Sequence, residues 1–219
     1  MGETSSVESI LTRSRTPDDK LLAVSADMDA FECYDGPQGR RVAAIAEALG
    51  RSFNLASQDL FFLDQAALVH DIGEMSMGRH YITLARELTA NERIDLERHP
   101  VIGEQEAAKL GLPRAVQLIV RWHHEWWNGS GYPDRIEGEQ IPLAARILRA
   151  ADTYAALTAS RPFRRAKSDE EARRLITEWA GIEIDPEIAR ALLNIRIPDV
   201  EAERAAAAAA ERHSLSILS

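Results

Sequence analysis

Apolar residues in this chain recur at helical rather than strand spacing. Over 37–48, Val42, Ile45 and Ala46 form a stripe continued by Leu49, which predicts a helix with Gly50 as its stop. Ser57 can cap a second helix reaching His70, with Leu60, Leu63, Ala67 and Val69 inward and Ile72-Gly73 as the break. Thr89 and Glu92 make the capping-box pattern for a helix over 90–98. Pro100 opens another, stopped by Gly111, and Pro113 suits the first turn of the next. That helix carries Val116, Ile119, Val120 and His123 on one face. A glycine-rich loop fills 128–140. Pro142 then opens a helix to about 159 that sets Leu148, Asp152 and Ala155 on one face. Ser168 and Glu171 repeat the capping box, Gly181 is a stop, and Asp185-Pro186 starts a short helix.

No stretch alternates at strand period and no repeat is evident. The pattern predicts an all-α bundle of roughly seven to nine helices, with the glycine-rich loop beside its site. Three parts are expected: a lead-in over 1–36, flexible or a short helix; a helical domain over 37–198; and an alanine-rich tail over 199–219, helical or flexible.

The 219 residues suffice for one well-buried domain. The single Cys33 excludes an internal disulfide, and no run reaches membrane-spanning length, so a cytoplasmic protein is expected. A formal net charge of −9 disfavours long nucleic acid as a partner, because the phosphate backbone dominates that affinity. A small nucleotide can still bind where cations are concentrated.

The chemistry gathers around residues 122–139. His123-His124 ends an apolar helical run, and the glycine loop follows at once. Upstream stand His70-Asp71 and His99; downstream stands Asp152, a charge in the small, apolar run 149–156. Histidine and aspartate bind the same cations, and a buried carboxylate needs a partner. Each feature also has a structural reading. Asp152 can pair with Arg146 or Arg149, a histidine can hydrogen-bond in a core, and residues 128–131 are first of all a turn. His80 and His213 have no such context and read as surface residues.

Together the motifs resemble one family. His70-Asp71-Ile72-Gly73, His99-Pro100, His123-His124-Glu125, Asn128-Gly129-Ser130-Gly131-Tyr132-Pro133, Gly138-Glu139, Ala151-Asp152 and Arg161-Pro162-Phe163-Arg164 are similar to the HD-GYP domain. That is a branch of the HD metal-dependent phosphohydrolases, and the resemblance covers about 37–193. It implies an all-helical fold of the HD/HD-GYP type and hydrolysis of the bacterial second messenger cyclic di-GMP. The implied cofactors are two divalent transition-metal ions, iron or manganese. His70, Asp71 and Asp152 would hold one ion. Asp71 would bridge to a second held by His99, His123 and His124. His70 and Asp71 would be catalytic, with a metal-activated hydroxide attacking phosphorus. Gly131 and Tyr132 would line the substrate pocket, and Arg161 and Arg164 would bind phosphate. Further partners implied for such a signalling domain are another signalling protein or a second copy of the chain, with no membrane.

The chain departs from the family in two places, the metal positions around the first core helix and residue 74; Gln38 and Glu74 are the departures that concern the metals directly. Gln38 stands where members have a first-helix histidine, and Tyr34 where three-metal members have a glutamate. Glu74 replaces the lysine that contacts substrate phosphate. Either side chain can offer oxygen to a metal, and both are carried as candidate ligands. The first expectation is a cyclic-dinucleotide phosphodiesterase. The alternatives are a catalytically degenerate module that binds nucleotide or protein, and a phosphohydrolase for another nucleotide.

Overall fold

The computed structural model describes residues 19–84, 86–160 and 165–198. The expected tail and the Arg161 to Arg164 motif lie outside the described residues. Among the described residues ten α-helices run in order: α1 (Asp19–Phe31), α2 (Gln38–Ser52), α3 (Ser57–Val69), α4 (Ile72–Met77), α5 (Ala90–Leu96), α6 (His99–Lys109), α7 (Arg114–Trp122), α8 (Leu143–Thr158), α9 (Asp169–Trp179) and α10 (Pro186–Asn194). Eight of them have nine residues or more; α4 and α5 are shorter. Among the described residues β-pairing is limited to one isolated bridge, Ala180 to Ile184. The fold is all-α.

The centre is a sandwich of α2, α3 and α8, with α7 across α3 and the pair α4 and α6 beside them. Val42, Ile45, Leu49, Leu63, Val69, Val120, Ile147, Leu148 and Ala151 are wholly or almost wholly buried there. The stripes read at helical period are therefore the surfaces that meet. Residues 19–31, within the segment read as a lead-in, form a helix whose Leu21 and Met28 join the same apolar cluster. Gly39 lets α1 approach α2 closely, since a Cβ there would stand 2.1 Å from Ser25 Oγ. Asp29 of α1 accepts from the Gly39 N–H at 3.0 Å, satisfying a donor at the start of α2 beside Gln38.

Two expected helix ends lie elsewhere. Gly50 is inside α2, not at its stop: its missing side chain makes room for Leu60, whose Cδ2 would be 2.7 Å from an added Cβ. Ser57 is the first residue of α3, and Ala56 occupies the cap. Both capping boxes form, at Thr89 with Glu92 and at Ser168 with Glu171.

Candidate metal centre

Helix ends deliver the site. His70 caps the end of α3, and Asp71 follows it in the two-residue gap before α4. His99 begins α6, His123 closes α7, and Asp152 lies in the third turn of α8. Helices that pack tightly in the middle thus bring their termini to one place.

Asp71 is the hub. Its Oδ2 is 3.0 Å from His70 Nε2, and its Oδ1 is 3.3 Å from both His99 Nε2 and His123 Nε2. Asp152 Oδ1 is 3.6 Å from His70 Nε2. Two candidate ligand sets share Asp71: His70, Asp71 and Asp152, and Asp71, His99, His123 and His124, the donor atoms of each set within 4.8 Å of one another. His99 and His123 are fully buried and His70 nearly so.

The protonation pattern supports a cation. His70, His99 and His123 each turn Nδ1 to a main-chain carbonyl, of Ala67, Leu96 and Val120, at 2.8, 2.8 and 2.6 Å. Nδ1 therefore carries a proton in each ring, and at His99 and His123 the Nε2 lone pair faces the Asp71 carboxylate. His99 Nε2, His123 Nε2 and Asp71 Oδ1 are buried with no hydrogen-bond partner. Doubly protonated rings would bond to Asp71, but burial holds the His123 pKa below its ordinary value despite Asp71. Opposed lone pairs in a dry site are costly unless a positive ion lies among them. The residues therefore fit metal ions. At His70, burial disfavours the imidazolium, yet Asp71 and Asp152 outweigh it and hold the pKa well above the usual. Burial alone would raise the Asp71 pKa, but the His70 charge beside it outweighs that and holds it well below the usual.

The glycine loop packs onto this cluster. Tyr132 stacks on His124 with centroids 4.9 Å apart and 16° between planes, and burial pushes its hydroxyl pKa up. The Tyr132-Pro133 peptide is cis. Gly131 is required by space, since a Cβ would stand 2.2 Å from the Trp126 amide nitrogen. Glu125, quoted above only as part of a motif, anchors the loop: its Oε1 accepts from the amides of Asp134 and Arg135 at 2.6 and 3.1 Å. The signal available in the sequence was a carboxylate directly after two histidines and before the glycine loop.

Gln38 is buried, with Nε2 unpartnered, and lines a cavity of about 580 Å³ with Tyr34, Arg41 and Thr158. A second cavity of about 450 Å³ meets Tyr132, Pro133, Ile94, Arg98 and Arg135. Glu74 lies outside both ligand sets, with Oε1 3.9 Å from His99 Nδ1, the nitrogen turned away from Asp71. Arg161 and Arg164 lie outside the described residues. Arg149, read above only as an ion-pair option for Asp152, instead reaches His124 Nδ1 at 2.9 Å and Glu183 Oε2 at 2.6 Å.

A family profile described as "HD domain" matches residues 32–188. The 3'3'-cGAMP-specific phosphodiesterase 3 of Vibrio cholerae serotype O1 is 32% identical over 182 residues, covering 82% of this chain and 39% of that protein. The cyclic di-GMP phosphodiesterase response regulator RpfG of Xanthomonas campestris pv. campestris is 30% identical over 207 residues, covering 86% and 54%. The chain thus spans about half or less of these relatives. Among solved structures, that of V-cGAP3, a cyclic GMP-AMP specific phosphodiesterase of V. cholerae, superposes with a TM-score of 0.62 at 22% identity, covering 80% of this chain and 47% of that one. An HD-GYP-type protein of Bdellovibrio bacteriovorus, Bd1817, gives 0.60 at 19% identity, covering 78% and 56%. These last two support the fold. With a match over most of its length and the motifs of the HD-GYP branch around a shared aspartate, this chain belongs to the HD domain family.

Proposed function

We propose that this chain is the catalytic part of a metal-dependent phosphodiesterase that hydrolyses a cyclic dinucleotide, cyclic di-GMP first. The observation that carries the reading is the convergence of the His70, His99 and His123 Nε2 atoms on Asp71, with Oδ1 lacking any other partner. His70, Asp71 and Asp152 would hold one ion, and Asp71, His99 and His123, with His124 beside them, would hold a second. Ions held there would supply Lewis acidity toward the phosphoryl oxygens and a lowered pKa for water. The chain's own residues do the rest. Main-chain carbonyls fix the three imidazole tautomers, Asp71 sets the spacing of the two sites, and Tyr132 walls the cleft on the His124 side. Iron or manganese suits this mixed imidazole and carboxylate set. Relatives named for cyclic di-GMP and for 3'3'-cGAMP both support a cyclic dinucleotide as substrate.

A second reading, a silent nucleotide-binding domain, is favoured by Gln38, which puts an amide where the family has an imidazole. Metal analysis of protein purified without oxygen, with hydrolysis of cyclic di-GMP and 3'3'-cGAMP assayed on the same sample, separates the two. Two ions per chain with turnover supports the enzyme. Bound nucleotide without turnover in metal-loaded protein supports the silent domain.

A further inference from the structure

The histidines of the cleft are not equivalent. Three of them donate from Nδ1 to a main-chain carbonyl and turn Nε2 toward Asp71. His124 is arranged the other way. Its Nδ1 lies 2.9 Å from Nη1 of Arg149. A guanidinium can only donate, so this nitrogen accepts, and the neutral ring carries its proton on Nε2. Turning the ring over would set a carbon against Nη1 and leave a buried donor without its partner. Arg149 has little freedom to withdraw. Its side chain is 13% exposed and its Nη2 is 2.6 Å from Glu183 Oε2. The imidazole is held as well, by the stacked Tyr132 ring.

We propose that Arg149, clamped by Glu183, removes His124 from the metal-ligand set and makes it a neutral hydrogen-bond donor beside the ions. A ring nitrogen that carries a proton has no lone pair for a metal, and a ligating histidine normally gives its other N–H to an acceptor. His70, His99 and His123 meet that condition; His124 faces a donor instead. Asp71, His99 and His123 would then be the residues that hold the second ion. The His124 ring lies 4.1 Å from that of His123 and 4.8 Å from that of His99, centroid to centroid, so it packs directly against the cluster. There it donates to a phosphoryl oxygen of the substrate, a role that rests on the phosphodiesterase reading. Arg149 is a positioning residue in this scheme, and Glu183 balances its charge.

The test is calorimetric titration of the metal-free full chain with Mn²⁺, with thermal melts as the folding control. His124→Ala is expected to keep the wild-type stoichiometry, with affinity within about threefold, whereas His123→Ala loses an ion or weakens binding by about tenfold or more. Arg149→Met lets Nδ1 take the proton, so Mn²⁺ binding tightens; Arg149→Lys keeps a donor and returns toward wild type. Should Arg149→Met fail to fold, Glu183→Gln, which loosens the clamp, is expected to shift affinity in the same direction. Equal damage from His124→Ala and His123→Ala overturns the proposal, as does an unchanged or weaker Mn²⁺ affinity in folded Arg149→Met. In the Mn²⁺-loaded protein, His124→Ala is expected to weaken cyclic di-GMP binding. Wild-type protein that takes up Mn²⁺ but no cyclic dinucleotide defeats the phosphodiesterase reading, while the metal titrations still decide the ligand set.

Discussion

Gly73 lies directly against the main chain of His99: a Cβ on it would stand 2.0 Å from the His99 carbonyl oxygen and 2.8 Å from the Gly103 amide nitrogen. This contact lets α4 cross the start of α6, and it brings Asp71 and His99 within reach of one ion. Both obstacles are backbone, so no side chain can rotate away. Gly73→Ala is expected to destabilise the fold by about 1–3 kcal/mol, the usual cost of overpacking. It should also lower metal affinity, because His99 must shift. Thermal melts and metal titration on the same protein check both. A normal melt with normal metal uptake would mean that the α4 to α6 contact is softer than its geometry implies.

Glu125 ties the glycine loop to the end of α7. Removing its carboxylate in Glu125→Ala strands the part-buried amides of Asp134 and Arg135. For donors that keep some access to water the loss should lie at the low end of about 1–3 kcal/mol. The melting temperature should fall, and residues 126–141 should become sensitive to protease before the rest of the chain. Asp134, from the same loop, binds Arg121 through both oxygens at 2.7 and 2.8 Å and Trp122 Nε1 at 2.7 Å. The Arg121 bond holds its pKa below the ordinary 3.8. A depressed carboxylate adds stability above its unfolded pKa and loses it as pH falls through the folded one. Asp134→Asn should therefore cost stability at neutral pH, by at most about 1 kcal/mol for so exposed a pair, and nothing at strongly acid pH. Denaturant melts at the two pH values read the difference.

What the sequence made legible was local. Pro100, Pro113, Pro142, Thr89 with Glu92, and Ser168 with Glu171 act within one helical turn, and each marks a helix start where read or within one residue of it. The apolar stripes identified buried faces, so the helical bundle followed. The resemblance supplied His70, Asp71, His99, His123, His124 and Asp152, and the structure brings them together. Contacts between distant segments were not legible. Gly50 resembles a helix stop until Leu60 is seen against it. Arg149 meets His124 across 25 residues and Glu183 across 34, and no periodicity encodes such a pair. Asp29, from the segment read as a lead-in, supports the start of α2 for the same reason.

Gln38 is buried at the start of α2, with an amide nitrogen that has no partner. An unsatisfied buried group marks a position whose chemistry can be improved. Gln38→His is expected to strengthen binding of the ion held by His70, Asp71 and Asp152, by about tenfold or more, since imidazole holds transition metals better than an amide does. Mn²⁺ titration should show the weaker of two binding events tightening while the stronger stays put. Two unchanged events would mean that residue 38 does not face the ion.

Glu74 decides the charge of the cleft on the α4 side. Its side chain is only 13% exposed, and its carboxylate lies 3.9 Å from the His99 nitrogen that faces away from Asp71. It therefore borders the centre from outside both ligand sets. Its charge is felt at Tyr132 and at Tyr81, so it acts on the same cleft that the glycine loop walls. A carboxylate in that position opposes a phosphodiester approaching the ions, and like charges interact strongly where water is scarce. Glu74→Lys turns that repulsion into attraction. Cyclic di-GMP should bind more tightly by about tenfold, with metal content unchanged. The gain should shrink as salt is raised, because the added charge acts across partly solvated space. The competing idea, in which Glu74 oxygen ligates an ion and offsets the missing imidazole at Gln38, predicts the reverse: an ion is lost and nucleotide binding falls with it. Metal content and nucleotide affinity measured on one Glu74→Lys preparation separate the two outcomes. If neither quantity moves, Glu74 acts on neither the ions nor the substrate, and the absence of the family lysine carries no consequence for binding.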